Sequence, residues 1–475
     1  MTDISGMFQL VEPPKLKWKD TIFDALKIVE DQYGMIVVIL DEEGKLSGIV
    51  SPGDLRKAIL QGHSIKTQLS HIANKDPVCI TLEDLENCSG ISNILNGLKK
   101  RYGKTSLYAM IPVVSEDRQV IGSISLDSLI GYASDRNIKS EKGTVLIVGG
   151  AGYIGSVLAR KLLHNGWGVR VLDKLLYTED SLEGLDQEKF TLIRGDAAKI
   201  DDIVKAVEGV DAVVYLAELV GDPACSLAPQ EALKTNYLAV TPMTPLCSHL
   251  NINRFIYTSS CSVYGASEDS EKFLTEESPV NPVSLYGRIK ALVEEAILGV
   301  CNLPNPLFTP TILRLGTVFG HSYRPRFDMV VNAFVKNALQ NGMIEVFGGD
   351  QWRPNIHVKD VGEAVLRVLS SPVEDVKGQV FNVGSNEMNH TINELADIAK
   401  DMFPHIKIIR KDDKVDKRNY RVNFSKIEKV LGFKANIGVK QGMLEIKEAF
   451  ENNSLLDLDD SRYYNLKKLQ ELNFV

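Results

Sequence analysis

Two regimes of hydrophobic patterning divide the chain. In the first, a helix-period stretch, TIFDALKIVEDQYG, leads into two β-branched runs around an acidic turn from Glu42 to Lys45, and then into a helical pattern, LRKAIL. The same order recurs more weakly as ISNILNGLKKRYG, the strands YAMIPVVSEDRQVIGSIS with a turn at Glu116 to Arg118, and the helix LDSLIGYAS. This repetition predicts two similar α+β units. The polar stretch SDRNIKSEKG breaks both patterns and reads as a linker. From Thr144 onward, apolar runs (TVLIVGG, WGVRVLD, KFTLIRGD, DAVVYLAEL, RFIYTSS, TPTILRLGTVFG) alternate with longer helix-period segments. That alternation predicts an α/β, Rossmann-like, doubly wound parallel sheet with helices on both faces. From about Asp328 to the end, helical stretches such as MVVNAFVKNALQNG and TINELADIAKDMF lie among short strands and predict a small mixed lobe. The boundaries read as 1–138 for the duplicated module, 139–143 for the linker and 144–475 for the rest.

Composition narrows the classes. The 475 residues suggest about three ordinary domains, at roughly 100–200 residues each. With 44% hydrophobic and 24% charged residues, a packed soluble protein is expected. The net charge of -8 and the lack of a basic run argue against nucleic acid as a partner. Six cysteines (Cys79, Cys88, Cys225, Cys247, Cys261, Cys301) show no CxxC pair, so neither a disulfide framework nor a metal site is expected. The start lacks an apolar signal core, and no apolar run reaches the ~20 residues that span a bilayer, so a cytoplasmic, membrane-free location is predicted.

The chemistry begins after the strand TVLIV, with Gly149-Gly150-Ala151-Gly152-Tyr153-Ile154-Gly155 opening the helix VLARKLLHNG. Gly149 suits the tight turn, Gly152 a backbone approached by pyrophosphate, and Gly155 a close helix contact, with the phosphates at the helix N-terminus. Asp173 ends the next strand, where a carboxylate accepts adenosine ribose hydroxyls and repels a 2′-phosphate, so NAD is favoured over NADP. Asp196 ends the third strand; it reads equally as an adenine contact or as the N-cap of DDIVKAVEG.

GGAGYIGS, the downstream SSCSVYG and Tyr286-Gly287-Arg288-Ile289-Lys290 together resemble the extended short-chain dehydrogenase/reductases that act on nucleotide-diphosphate sugars, over roughly residues 144–450. The resemblance implies Tyr286 as general base, with Lys290 one helical turn on lowering its pKa, and Ser260 hydrogen-bonding the reacting sugar oxygen. It also implies that Tyr153, Ile154, Ala197, Leu216, Ala217, Tyr286 and Lys290 border the cofactor. Asn236 is expected to brace the active-site helix and to border the cofactor. Arg353 and Arg418 fall where relatives bind the substrate diphosphate; for Arg418, a surface charge pair is the competing reading. Two departures stand out. Relatives that eliminate water place Asp-Glu after the catalytic hydroxyl residue, where this chain has Cys261 and Ser262. Glu218 stands where relatives have a small residue, open to a role facing nicotinamide or substrate. Cys261 reads as a small buried residue in preference to an acid-base thiol.

LVGDPACS, LRLGTVFGHSYRPRFDMVVNAFV and VDKRNYRVNFSKIEKVLGF resemble a branch that includes nucleotide-sugar epimerases and a GDP-heptose 4-dehydrogenase. The expected activity is NAD-dependent epimerisation through a transient 4-keto sugar, with a net 4-dehydrogenase or ketoreductase as the same-class alternative. A non-catalytic NAD sensor is the alternative from another class. The duplicated module resembles a CBS pair, in which Ser51 and Asp54 would hold phosphate and ribose of an adenine nucleotide, or merely cap the helix LRKAIL. Relatives of both parts associate, so a homo-oligomer is expected.

Overall fold

The computed structural model describes residues 10–31, 36–86, 110–125, 143–250, 252–266, 272–301, 308–412, 416, 418–452 and 457–472. The chain divides into two compact units, Met1–Lys142 and Gly143–Val475. The helical stretches at 91–103 and 126–134 and linker residues 139–142 lie outside the described residues.

In the first unit, β1 (Lys15–Lys17), α1 (Ile22–Asp31), β2 (Val37–Leu40), β3 (Leu46–Val50) and α2 (Pro52–Leu60) form one repeat. A second contains β4 (Ile80–Thr81), α3 (Leu82–Glu86), β5 (Met110–Val114) and β6 (Val120–Ser125). Both sheets share one topology: β1 runs parallel to β2 and β4 to β5, each followed by an antiparallel hairpin. Each hairpin carries a register shift at its last paired step, Ile39/Leu40 and Val113/Val114. The repeats join where Leu46 N donates to Arg118 O at 2.9 Å, over the shared cluster of Ile36, Val38, Leu46 and Val114.

Corresponding hairpin positions are left-handed in both repeats, at Gly44 (φ 80) and Arg118 (φ 66). A Cβ at Gly44 would meet nothing within 4 Å, so Gly44→Ala carries only the backbone cost, about 1–2 kcal/mol. A lower unfolding midpoint for this unit is the expected result, and an unchanged midpoint would refute it.

Helix starts in this unit use one device three times. Thr21, Ser51 and Thr81 each give backbone N–H and hydroxyl to the carboxylate three residues on, Asp24, Asp54 and Asp84, at 2.6–2.9 Å. At α2 the pair forms a full capping box. Ser51 and Asp54 are therefore engaged with each other, as the capping reading expects.

The second unit is built on a seven-stranded, all-parallel sheet. Its strands are β7 (Thr144–Val148), β8 (Gly168–Asp173), β9 (Phe190–Arg194), β10 (Ala212–Tyr215), β11 (Arg254–Ser260), β12 (Thr309–Leu315) and a last strand, Gln379–Val383. In spatial order they run from Gln379–Val383 through β12, β11, β10, β7 and β8 to β9, so the winding reverses between β10 and β7. Strand side chains alternate between two cores. Val145, Ile147 and Val214 join one cluster with the helices Gly155–His164 and Val358–Ser370; Leu146, Val148 and Val213 join the other with Ile200–Val207 and Leu285–Val300.

A separate core of Phe334, Val335, Ile344, Leu395, Ala396 and Met443 forms the mixed lobe, including the helices Val330–Asn341, Ile392–Met402 and Val439–Glu451. The expectation that everything after Asp328 belongs to that lobe is corrected, because Val358–Ser370 and Gln379–Val383 return to the main sheet and its core. Strand order is a long-range property, and the local pattern of these two elements does not carry it.

Candidate active site

The winding reversal leaves a crevice at the carboxyl ends of β7 and β10, the position where open α/β sheets bind ligands. On one side lies the glycine turn. Gly149 has φ 88, and a Cβ there would sit 2.6 Å from Ala217 N; a Cβ on Gly155 would sit 2.4 Å from Gly149 O. Both glycines are thus demanded by the protein's own packing. At Gly152 a Cβ would meet only Gly149 O, at 3.2 Å, so that position stays open for a close-approaching ligand. Tyr153 OH donates to Gly320 O at 2.7 Å, and Ile154 immediately precedes the helix Gly155–His164.

Asp173 closes this turn from β8, accepting Ala151 N–H at 2.9 Å and Leu175 N–H at 2.7 Å. Burial raises its carboxyl pKa, against those two bonds and the Arg324 charge. Two groups missed by sequence reasoning belong here. Arg324 stacks over the Tyr177 ring at 3.8 Å, and both Arg324 Nε and Tyr177 OH are buried without a hydrogen-bond partner among the described residues. A buried guanidinium and phenol with spare donors beside the Asp173 carboxylate could meet a ligand's polar atoms. The unbalanced RPR within SYRPRFD was the available signal.

Asp196 accepts Ala198 N–H at 2.8 Å and pairs with Lys174 at 3.0 Å. The helix Ile200–Val207 starts later, with Lys199 at its cap position, so the capping alternative for Asp196 is corrected. Ala197 is buried in the core cluster beneath; Leu216 N bonds Val148 O at 2.8 Å, placing Leu216 and Ala217 against Gly149.

Opposite the turn, Ser260 is the last residue of β11. Its Oγ accepts Ser262 N–H and donates to Ser262 Oγ, both at 3.1 Å. Ser284 caps the helix Leu285–Val300, whose first turn presses so closely that a Cβ on Gly287 would lie 2.9 Å from Ser262 O. Lys290, one turn after Tyr286, donates to the carbonyl of Thr258, two residues before Ser260. Lys290 is thereby tied to the strand that ends in Ser260, and the helix that also carries Tyr286 packs against Ser262.

The glutamate departs from expectation. Glu218 Oε2 lies 2.5 Å from Lys290 Nζ, Glu218 Oε1 accepts Tyr257 OH at 2.8 Å, and both charged side chains are only 3% exposed. Lys290 Nζ sits 4.5 Å from the Tyr257 ring centre and 5.7 Å from that of Tyr286. Burial, then the Glu218 charge, pushes the Tyr286 phenol well above its usual value. Lys290, expected to lower that value, has its own charge answered by the Glu218 carboxylate.

Asn236 lies in the π-helical turn Lys234–Leu238. Its amide brackets Leu219, accepting Leu219 N–H at 2.8 Å and donating to Leu219 O at 2.9 Å. It therefore clamps the loop carrying Glu218, and its turn packs on the helix Leu285–Val300 that it was expected to brace. Cys261 is buried beside Val263, Tyr264 and Tyr420; burial raises its thiol pKa, and Sγ faces Arg314 O. No reactive thiolate stands beside Ser260.

Arg353 and Arg418 come together on one carboxylate. Arg353 Nη2 pairs with Asp416 at 2.9 Å, and Arg418 Nε donates to the same group at 3.0 Å. Although burial alone would raise it, Asp416 is held far below the ordinary carboxylate range by the bond and charge of Arg418 and the charge of Arg353. Arg418 also reaches Asp222 at 3.3 Å and Ser262 Oγ at 3.4 Å, linking it to Ser260. This is a partly buried network, in contrast to the surface pair considered as its alternative. His357 is fully buried between Glu445 (3.2 Å) and Lys359 N (3.2 Å), a packing role. Among the described residues no His/Cys/Asp/Glu group could hold a metal ion, and no helix is long and apolar enough to cross a membrane.

Known proteins resemble this chain in sequence and fold. The chain is 31% identical over 269 residues to Protein CapI of Staphylococcus aureus, covering 51% of this chain and 78% of that protein. It is 28% identical over 317 residues to a putative UDP-glucose 4-epimerase of Methanocaldococcus jannaschii, covering 65% and 99%. The solved structure of MoeE5 in complex with UDP-glucuronic acid and NAD is 26% identical, with a TM-score of 0.58, covering 65% of this chain and 100% of that one. Residues 19–61 match the CBS domain, and residues 145–384, just over half the chain, match the NAD dependent epimerase/dehydratase family. With that match falling on the parallel sheet and its crevice, the chain belongs to the NAD dependent epimerase/dehydratase family and carries a CBS domain at its N-terminal end.

Proposed function

We propose that the protein is an NAD-dependent nucleotide-diphosphate-sugar epimerase working at carbon 4 of the sugar. The observation that carries this reading is the packing of the helix bearing Tyr286 and Lys290 against the end of β11, where Lys290 bonds Thr258 O and Gly287 abuts Ser262 beside Ser260. The Gly149–Gly155 turn, Asp173, Leu216, Ala217 and Lys290 would hold NAD, with Arg324 and Tyr177 supplying further donors. Bound there, NAD supplies the acceptor and then the donor of a hydride at the reacting carbon.

Tyr286 takes the proton of the carbon-4 hydroxyl, while Ser260 Oγ hydrogen-bonds the same oxygen and fixes its position. Arg353 and Arg418 hold the diphosphate in place of their bonds to Asp416, a fork geometry that suits a dianion. Once the 4-keto sugar has turned its other face, Tyr286 returns the proton. Elimination of water is disfavoured because the buried Cys261 and the engaged Ser262 offer no acid-base pair. The relative named a putative UDP-glucose 4-epimerase supports the same choice. The N-terminal unit regulates this chemistry only through a ligand that favours one state of the catalytic unit over another.

Protein denatured without added cofactor should release near-stoichiometric NAD, and nucleotide hexoses should interconvert at carbon 4 without net NADH. A keto sugar accumulating with NADH would replace this reading by a net dehydrogenase; NAD binding without any turnover would leave a sensor.

A further inference from the structure

The Glu218–Lys290 pair changes what the lysine can do. Glu218 comes from the loop after β10, Lys290 from the helix Leu285–Val300, and Tyr257 and Thr258 from β11, so three elements converge on one ammonium. Every member of the group is buried. Lys290 has two ties, the Glu218 carboxylate at 2.5 Å and the Thr258 carbonyl, which set its position beside Tyr286. The pair also sums to zero charge wherever its shared proton rests. A lysine in this position facing a small residue would present a net positive charge to the phenol; this one does not.

We propose that Glu218 is a positioning residue for the base: it fixes Lys290 beside Tyr286 and cancels its charge, so that Lys290 stands next to the tyrosine without acidifying it. This rests on the reading of Tyr286 as base. Other charged or titratable groups around Tyr286 include Tyr257, Cys225, Asp222 and Arg326, among which Arg326 favours the phenolate; around Lys290 they include Tyr257, Glu294 and Cys225. The clamp of Asn236 on Leu219 holds the backbone next to Glu218 and so keeps the carboxylate on the lysine. The direction of the Tyr286 shift agrees, since Glu218 is the largest charge acting to keep the phenol protonated. The functional consequence is a base that works at higher pH than a tyrosine beside an unpaired lysine, and a site whose total charge stays constant as Lys290 and Glu218 exchange a proton.

Glu218→Gln tests this, because it keeps the shape and a hydrogen-bonding amide while removing the charge. Ultraviolet titration of tyrosinate in the holoenzyme, taken as the difference between Glu218→Gln and Glu218→Gln/Tyr286→Phe, isolates Tyr286; the wild type minus Tyr286→Phe gives the reference. The Tyr286 midpoint is expected to fall by about one pH unit or more in the Gln variant, the scale of one removed neighbouring charge. The acid limb of kcat/KM should move the same way, giving about tenfold more activity than wild type at a fixed pH below the break. A midpoint that stays put or rises overturns the proposal. Glu218→Ala, which installs a small residue there, gives the same reading should the Gln variant not fold. If Tyr286→Phe kept full turnover, the base reading would fail, yet the titration would still show whether Glu218 governs the ionisation of Tyr286.

Discussion

Replacing Tyr286 by Phe is expected to cut turnover by about 10²- to 10⁴-fold, the usual contribution of a positioned general base. The ring is 7% exposed and sits in the apolar cluster under the sheet, so loss of one oxygen leaves its packing and the fold unchanged. Lys290 keeps its bonds to Glu218 and Thr258, neither of which involves the phenol. NAD release on denaturation should therefore match wild type while interconversion of nucleotide sugars collapses. Wild-type turnover in the Phe variant would sink the assignment.

Glu294→Ala is expected to cost about 3–5 kcal/mol of stability, the penalty for leaving a buried partner charge alone. Glu294 takes Arg314 Nε at 3.1 Å and Arg314 Nη2 at 2.7 Å, and accepts Ser259 OH as well. The two side chains are 5% and 7% exposed. With Glu294 gone, Arg314 keeps hydrogen bonds to neutral groups such as Tyr264 OH at 2.9 Å. The pair ties the helix carrying Tyr286 to β12, so the catalytic unit as a whole should weaken. The urea midpoint of that unit measures it, and a midpoint equal to wild type would contradict the argument.

Local patterns carried much of the architecture. The runs TVLIVGG, RFIYTSS and TPTILRLGTVFG became central strands because a strand buried on both faces needs apolar residues at every position. Gly149 and Gly155 were legible because only glycine tolerates a backbone neighbour 2.4–2.6 Å from its missing Cβ. Ser260, Tyr286 and Lys290 were legible because strand end and helix turn fix their spacing. The partner of Glu218 was not, since it comes from a different βα unit and no periodicity links the two. The sharing of Asp416 by Arg353 and Arg418 was hidden for the same reason. Asp196 misled because a carboxylate just before a helix resembles a cap, yet Lys174 and the Ala198 amide claim it first. In the second N-terminal repeat, Arg118 occupies the left-handed position that Gly44 marks in the first, and arginine gives no such signal.

The buried Glu218–Lys290 pair also bears on how the catalytic unit assembles. Docking the helix Leu285–Val300 before the loop after β10 has closed would bury an ammonium alone; closing the loop first would bury a carboxylate alone. Either half-built state carries a desolvation penalty of several kcal/mol. Partly docked forms are thus disfavoured on both sides, and helix and loop come into register together. The Asn236 clamp on Leu219 extends that concerted step to the π-helical turn. The acid that tempers the lysine in the finished site therefore also makes its construction all-or-none.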